Sequence, residues 1–447
     1  VFLSSDISFH IISLGCAKNL VDSERINGAL MSAGFARAGD SNEADITIIN
    51  TCGFINTAKE ESIDVIFDAL GGGVKKRKLK NFMENGRIVK KSFPVKVVAV
   101  GCLTQRYMEK MKEEIPELDF ICGITDETFA GQVCSRFGIT MEPGHGASRV
   151  PIISQAYSYI KISDGCSNNC SFCAIPLIRG PARSFSPELV LADASDAAAY
   201  GVKELIIIAQ DIASYRWGDV GLAEIVGKIT EIKGPEWIRL MYCHPNHIEE
   251  TLIDCLANNE KVLKYIDIPF QHASGKVLKS MGRAGDGAKY IGLIEKLRER
   301  VPGIRIRSSF MVGYPGEDEG DFQALMEFLR EARLDRVGAF IYSPEEGTRS
   351  FGLADRVPAR EKRKRYNELM KLQKAISSQK LEKMIGADVR VILEERLDGS
   401  TFAGRSEYDA PEVDGIFYLT ASGAGLNSIV RARVTGSSEY DLYGEMY

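Results

Sequence analysis

The chain has no apolar run approaching the roughly 18 residues that a membrane-spanning helix needs, which excludes a helical membrane protein. It has no one-sided charge either. The 56 basic and 61 acidic residues leave a net charge of −5, the wrong balance for a protein that coats nucleic acid along its whole length. No internal repeat is evident. Gly71-Gly72-Gly73 lacks the Gly-Lys-Ser/Thr ending of a phosphate loop and reads as a linker. Ser13-Leu14-Gly15-Cys16-Ala17 resembles a lipoprotein cleavage box, but no Lys or Arg precedes it and Asp6 and His10 interrupt the apolar stretch. A cytoplasmic location is therefore expected. What the chain does have is the mix of an ordered globular protein, 45% hydrophobic and 26% charged.

It also has ten cysteines. A chain of this length builds its own core and does not need five disulfides. Their spacing must be read against the order of secondary structure.

Residues 7–138 alternate short β-branched runs with helical patterns. Phe9–Leu14, Asp45–Asn50 and Val95–Val100 read as strands, and about 21–33 and 58–70 as helices. Near-continuous apolar strands between helices predict a parallel sheet covered on both faces. Residues 71–94 break the pattern. From Val74 to Lys96 the segment carries nine basic residues and one acidic residue, a surface insertion of charge +8. Residues 140–155, with Pro143, Gly146, Ser148 and Pro151, read as a linker. Six further strand candidates follow between helices: Tyr157–Ser163, Glu204–Ala209, Trp237–Tyr242, Tyr265–Pro269, Ile304–Val312 and Val337–Tyr342. Six βα units predict an incomplete, TIM-like (β/α)6 barrel or a large open sheet. A basic helix over 356–383, charge +7, precedes a terminal stretch of short β runs that predicts a small all-β barrel of about five strands. The expected fold class is thus α/β with a terminal β barrel. The expected domains are residues 7–138, 152–382 and 384–447.

Cys166-Ser167-Asn168-Asn169-Cys170-Ser171-Phe172-Cys173 places three thiols in eight residues, directly after the first strand of the second domain. Zinc would want a fourth ligand from a second matching pair, and none stands nearby. Three cysteines around an iron–sulfur cube leave one iron open to an outside ligand. A structural zinc with a distant partner such as His244 or Cys243 is the competing reading. Cys16, Cys52 and Cys102 each follow a strand of the first sheet, and carboxyl ends of parallel strands converge on one sheet edge. Cys122 also follows a strand-like run, so spacing alone leaves open which three of the four form a site. Three buried small hydrophobes is the bland alternative. Cys134, Cys243 and Cys255 read as bystanders.

The CxxxCxFC triplet after the first strand of a βα repeat resembles the radical S-adenosylmethionine superfamily. That resemblance implies a 4Fe–4S cluster on Cys166, Cys170 and Cys173 whose open iron binds S-adenosylmethionine. The reduced cluster then generates a 5′-deoxyadenosyl radical. It further implies cofactor contacts at Gln210 and Asp211, after the second strand, and in the Val312-Gly313-Tyr314-Pro315-Gly316-Glu317 segment, with Gly313 and Gly316, after the fifth. Ser13–Glu24, Asn50–Ile55 and Gly101-Cys102-Leu103 are similar to the N-terminal domain of methylthiotransferases. In that family three such cysteines hold an auxiliary 4Fe–4S cluster and Cys122 has no counterpart. The resemblance spans nearly the whole chain and ends in a TRAM barrel. The insertion at 71–94 is longer than the family leads one to expect.

Two branches of that family differ in substrate. The MiaB-type modifies an adenosine of tRNA. The RimO-type modifies an aspartate of the small-subunit ribosomal protein number twelve. The barrel from Met384 to Tyr447 holds five basic and eleven acidic residues, a charge of −6. RNA phosphates would want a basic barrel, and an acidic one suits a basic protein. Gly404–Gly415 and Glu439–Gly444 resemble the RimO-type barrel, and so does Leu14–Asn19, with Ala17 where Pro is expected. The expectation is a RimO-type enzyme with two 4Fe–4S clusters and S-adenosylmethionine, partnered by the ribosomal protein, a reductase, and sulfide or another sulfur donor. The alternatives are a tRNA-modifying enzyme and a non-catalytic, ribosome-binding iron–sulfur protein.

Overall fold

The computed structural model describes the chain except residues 1, 72–76, 85–86, 126–127, 143, 145–148, 154 and 355–356, and it describes residues 77–84 and 87–93 by backbone alone. Pro143, Gly146, Ser148, Lys75, Lys76 and Arg356, which enter the linker, insertion and basic-helix readings, lie outside the described residues. Two compact units result: Val1–Ser154 with Ile175–Gly180, and Gln155–Ala174 with Pro181–Tyr447.

The first unit is built on a five-stranded parallel sheet in the order Ala36–Arg37, Ser8–Ser13, Ile46–Thr51, Lys96–Gly101, Phe120–Ile121. Every residue of Ile46–Thr51 is buried because helices cover both faces. Alternate residues sort to the two sides. Ile46, Ile48, Val98 and Val100 meet Ile26 and Leu30 of helix Ala17–Ser32 and Phe129 and Val133 of helix Phe129–Phe137. Ile49, Val97 and Ala99 meet Ile66 of helix Asn56–Gly71 and Leu103 and Met111 of helix Cys102–Glu114. The basic insertion forms an antiparallel hairpin, Arg77–Glu84 with Arg87–Pro94. The end of the linker segment is held within the unit. Arg149 is buried with its Nε 2.8 Å from Glu24 Oε2, and Asn27 Nδ2 donates to the Val150 carbonyl at 3.0 Å.

In the second unit six parallel strands lie in sequence order: Tyr157–Lys161, Glu204–Ile208, Trp237–Leu240, Val262–Asp267, Arg305–Val312 and Arg336–Ile341. The first and last strands do not pair, so the sheet is an open barrel arc. Side-chain caps start several of its helices. Ser186, Asp286 and Asp318 accept from Leu189 N, Lys289 N and Asp321 N. Helix Ala359–Glu382 buries Leu369, Gln373, Ile376 and Leu381, buries Arg365 against Glu317, and leaves Arg360, Arg363, Lys364, Lys371 and Lys374 exposed. Five strands then close into a barrel: Asp388–Arg396, Thr401–Ser406, Phe417–Thr420, Leu442–Met446 and Ile429–Ser437.

Core and barrel form one unit because a charged seam joins them. Arg239 and Glu204 are fully buried, with Nε and Oε1 2.6 Å apart. Arg405 reaches Glu204 Oε2 and Glu394 Oε1, each at 2.7 Å. Arg336 bonds Asp409, and Tyr265 donates to Asp414 at 2.7 Å. Burial alone would raise the Glu204 carboxyl, but Arg239 and Arg405 outweigh it and hold it below the usual range. Gly404–Gly415, a segment that resembles the RimO-type barrel, is therefore in large part the docking seam.

Removing Glu204 would leave the buried Arg239 without a carboxylate and take from Arg405 one of its two. Glu204→Ala is expected to destabilise the second unit by about 3–5 kcal/mol, read as a lowered urea midpoint of the anaerobic protein. The carboxyl is depressed in the folded state, so this contribution holds above the unfolded pKa and is lost as pH falls through the folded one. A midpoint equal to that of the parent would refute the seam.

Candidate functional site

Three neighbouring strands of the first sheet end level with one another. Ser13 pairs with Asn50, and Thr51 with Gly101. The chain then leaves the sheet for a helix each time. Cys16 is the N-cap of Ala17–Ser32, Cys102 opens Cys102–Glu114, and Cys52 stands four residues before Asn56–Gly71. Helix N-termini favour anionic groups, and thiolates on a metal cluster are such groups. Gly15 sits at φ +86°, and a Cβ there would lie 2.7 Å from Cys52 Cβ and 2.8 Å from its Sγ. Only glycine lets the two loops come so close.

Asn19 ties these loops together. Its Nδ2 donates to the Leu14 and Thr51 carbonyls, each at 3.0 Å, while Cys102 Sγ lies 3.4 Å from its Oδ1. Arg179 completes the wall. One terminal nitrogen stands 2.8 Å from Asn19 Oδ1, 2.9 Å from Asp22 Oδ2 and 3.2 Å from Cys102 Sγ. Burial pushes the Cys102 thiol up to about 11 and raises Cys52, with Arg179 pulling both the other way. Cys122 stands apart, after the edge strand, with its Sγ 3.3 Å from Gln132 Oε1.

The second cysteine set lies on the loop between Ser163–Asp164 and Ile175–Arg179. Asn169 takes a left-handed φ of +51° inside it. Ser171 N donates to Met281 O at 2.8 Å, its Oγ donates to Ser280 O at 2.9 Å, and Ser350 N donates to Ser171 O at 2.9 Å. Arg349 bonds the Asn169 carbonyl. Arg283 places a terminal nitrogen 3.6 Å from Cys170 Sγ and donates with the other to Pro269 O at 2.7 Å. All three thiols are partly exposed.

Gln210 and Asp211 flank this loop. Gln210 Nε2 donates to Asp164 Oδ1 at 3.1 Å, and its Oε1 is buried with no hydrogen-bond partner among the described residues. An acceptor left open in this way is available to an outside donor. Asp211 is fully engaged. It accepts from Asn168 Nδ2 at 2.9 Å, from the amides of Ala213 and His244 at 3.1 Å, and pairs with His247 Nδ1 at 2.6 Å. Burial raises its carboxyl, but His247 and Asn168 more than offset this and hold it below the usual range. Burial drives His244 down to about 3, and its Nδ1 accepts from Asn246 N. Gly313 sits at φ +73°, and its amide and that of Tyr314 donate to Glu317 Oε2 at 2.6 and 3.2 Å. Gly316, at φ +83°, faces open space.

Sequence reasoning missed Asn19, Arg179, Asn168, His247 and Arg283 as parts of these sites. Asn168 lies inside the triplet and Asn19 closes the Leu14–Asn19 motif, so both were within reach; Arg179, His247 and Arg283 carry no spacing signal. Among the described residues no group of three or more His, Cys, Asp or Glu side chains is close enough to hold a single metal ion. Three cysteines at adjoining strand ends, and three within one loop, are each the donor set that a 4Fe–4S cluster with one open iron takes.

Residues 160–329 match the radical SAM superfamily, residues 8–123 match the uncharacterized protein family UPF0004, and residues 385–446 match the TRAM domain. The chain is 41% identical to the ribosomal protein uS12 methylthiotransferase RimO of Thermoanaerobacter sp. (strain X514), over 97% of this chain and 99% of that one. It is 40% identical to the RimO of Heliobacterium modesticaldum, over 98% and 95%. Among solved structures, the radical S-adenosylmethionine methyltransferase TsrM from Kitasatospora setae, with tryptophan substrate and an S-adenosylmethionine analogue, aligns with a TM-score of 0.54 at 13% identity, over 92% of this chain and 80% of that one. At that identity the likeness is one of fold.

The close approach at Gly15 generates a test. Gly15→Ala is expected to push Cys52 aside and to lower the iron bound after anaerobic reconstitution. Full iron in that variant would show that the loops need not touch.

Proposed function

The chain belongs to the ribosomal protein uS12 methylthiotransferase (RimO) family, and on that premise we propose that it transfers a methylthio group to the β-carbon of an aspartate in the small-subunit ribosomal protein number twelve. It is a radical S-adenosylmethionine enzyme. The observation that carries the substrate is identity near 40% to RimO proteins over almost the full chain, terminal barrel included.

We assign Cys166, Cys170 and Cys173 to one 4Fe–4S cluster and Cys16, Cys52 and Cys102 to a second. When bound, the first supplies the electron that cleaves S-adenosylmethionine to a 5′-deoxyadenosyl radical, and the second supplies the sulfur that is methylated and transferred. The protein's own residues position and shield these groups. Hydrogen bonds from Ser171 and Ser350 and the Asn168–Asp211 contact hold the triplet loop in one shape. The orphan Gln210 Oε1 is a ready acceptor for the amino group of S-adenosylmethionine. Asp211 acts through Asn168, while Gly313 makes room for the Lys362 side chain and Gly316 leaves open space at the turn. Electrons come from a reductase and replacement sulfur from sulfide or another donor. Reducing conditions in the cytoplasm keep the six thiols unpaired. Among the described residues no helix is long and apolar enough to cross a membrane.

Anaerobic reconstitution is expected to load about eight irons per chain, falling to about four when Cys166, Cys170 and Cys173 are all changed to Ala. Four irons in the parent would remove the second cluster. In a deletion strain, mass spectrometry is expected to show ribosomal protein number twelve without its methylthio mark and tRNA with its methylthio-adenosine intact. The reverse pattern would make the substrate tRNA. No 5′-deoxyadenosine from the reduced protein would leave only a binding role.

A further inference from the structure

Arg179 lies six residues after Cys173 in the sequence, yet it packs within the first unit, against Cys102. Its side chain is 2% exposed and its carboxylate partner Asp22 is 10% exposed. A guanidinium so deeply buried is costly unless its contacts offset the desolvation. These contacts are specific: one terminal nitrogen serves Asn19 Oδ1, Asp22 Oδ2 and Cys102 Sγ at 2.8, 2.9 and 3.2 Å. Asp22 and Arg179 thus present opposite charges beside one cysteine sulfur.

We propose that Arg179 and Asp22 form a charge pair that sets the reduction potential of the cluster on Cys16, Cys52 and Cys102, with Arg179 a positioning residue that donates to the Cys102 sulfur. The proposal rests on the two-cluster reading above. A cluster held by thiolates gains negative charge on reduction. A buried cation or an N–H donor at a ligand sulfur stabilises the reduced form, and a buried anion opposes it. Both charges act at Cys102, because the Arg179 nitrogen 3.2 Å from its sulfur also stands 2.9 Å from Asp22 Oδ2. Arg179 presents a planar fork that lysine cannot copy, although lysine keeps the charge.

The experiment is a redox titration, followed by electron paramagnetic resonance, of the full chain with Cys166, Cys170 and Cys173 changed to Ala, so that only this centre loads. Adding Arg179→Gln is expected to lower the reduced-to-oxidised ratio at the parent midpoint at least tenfold, about 59 mV for one electron. Asp22→Asn is expected to shift the midpoint the opposite way, and Arg179→Lys to return most of the Arg179→Gln shift. Iron lost from Arg179→Gln but kept by Arg179→Lys would also support the charge role. An unmoved midpoint in Arg179→Gln, shifts of the same sign in Arg179→Gln and Asp22→Asn, or equal iron loss from both Arg179 variants would overturn it. A starting triple variant that binds no iron would refute the second cluster itself and the inference with it.

Discussion

Both candidate centres depend on one constraint: a parallel strand cannot turn back on itself and must hand its chain to a helix at its carboxyl end. The handover exposes unpaired amides and brings loops from neighbouring strands to one edge. In the first unit this puts Cys16, Cys52 and Cys102 at three adjoining strand ends, although 36 and 50 residues of sequence separate them. In the second unit it puts the triplet loop, Gln210, Asp211 and the turn at Gly313 at strand ends of one sheet. On the proposed reading the cysteines are the metal ligands, and the polar side chains around them fix their place. Asn19 does so in one centre and Asp211 in the other, each through four short polar contacts. Each centre also has an arginine at one cysteine sulfur, Arg179 at Cys102 and Arg283 at Cys170.

The strand ends opposite that site do different work. Glu204 and Arg336 begin their strands, and they meet Arg405 and Asp409 of the terminal barrel. This changes the meaning of the barrel's −6. Glu394, Asp409 and Asp414 are ion-paired or buried within the seam, as is Arg405. The charge that a basic partner would feel is carried by exposed residues such as Glu395, Asp398, Glu412 and Glu445. A sum over sequence counts both kinds alike, so the acidic total is weaker support for a protein substrate than full-length likeness to RimO proteins.

Much of the architecture was legible beforehand. Strand and helix alternation, the six βα units and the small barrel all follow from periodicity and turn residues, because a half-buried element must repeat its apolar positions at its own period. Cys166, Cys170 and Cys173 could be read as one site because eight residues cannot spread far. Cys122 could not be separated from Cys16, Cys52 and Cys102 by spacing. In the structure it follows the edge strand and meets Gln132, while the other three follow the adjoining inner strands. The insertion was visible as a basic run, but its hairpin pairing was not.

The sequence by itself determined the element order and, through motif resemblance, the branch of chemistry and the proposed cysteine sets, since these rest on local pattern and motif. Only the tertiary structure decided which distant polar groups serve those cysteines. Arg179 is one residue among 56 Lys and Arg, with nothing local to mark it. Burial beside Asp22, Asn19 and Cys102 gives it a role, because a guanidinium removed from water must find all its partners in the fold.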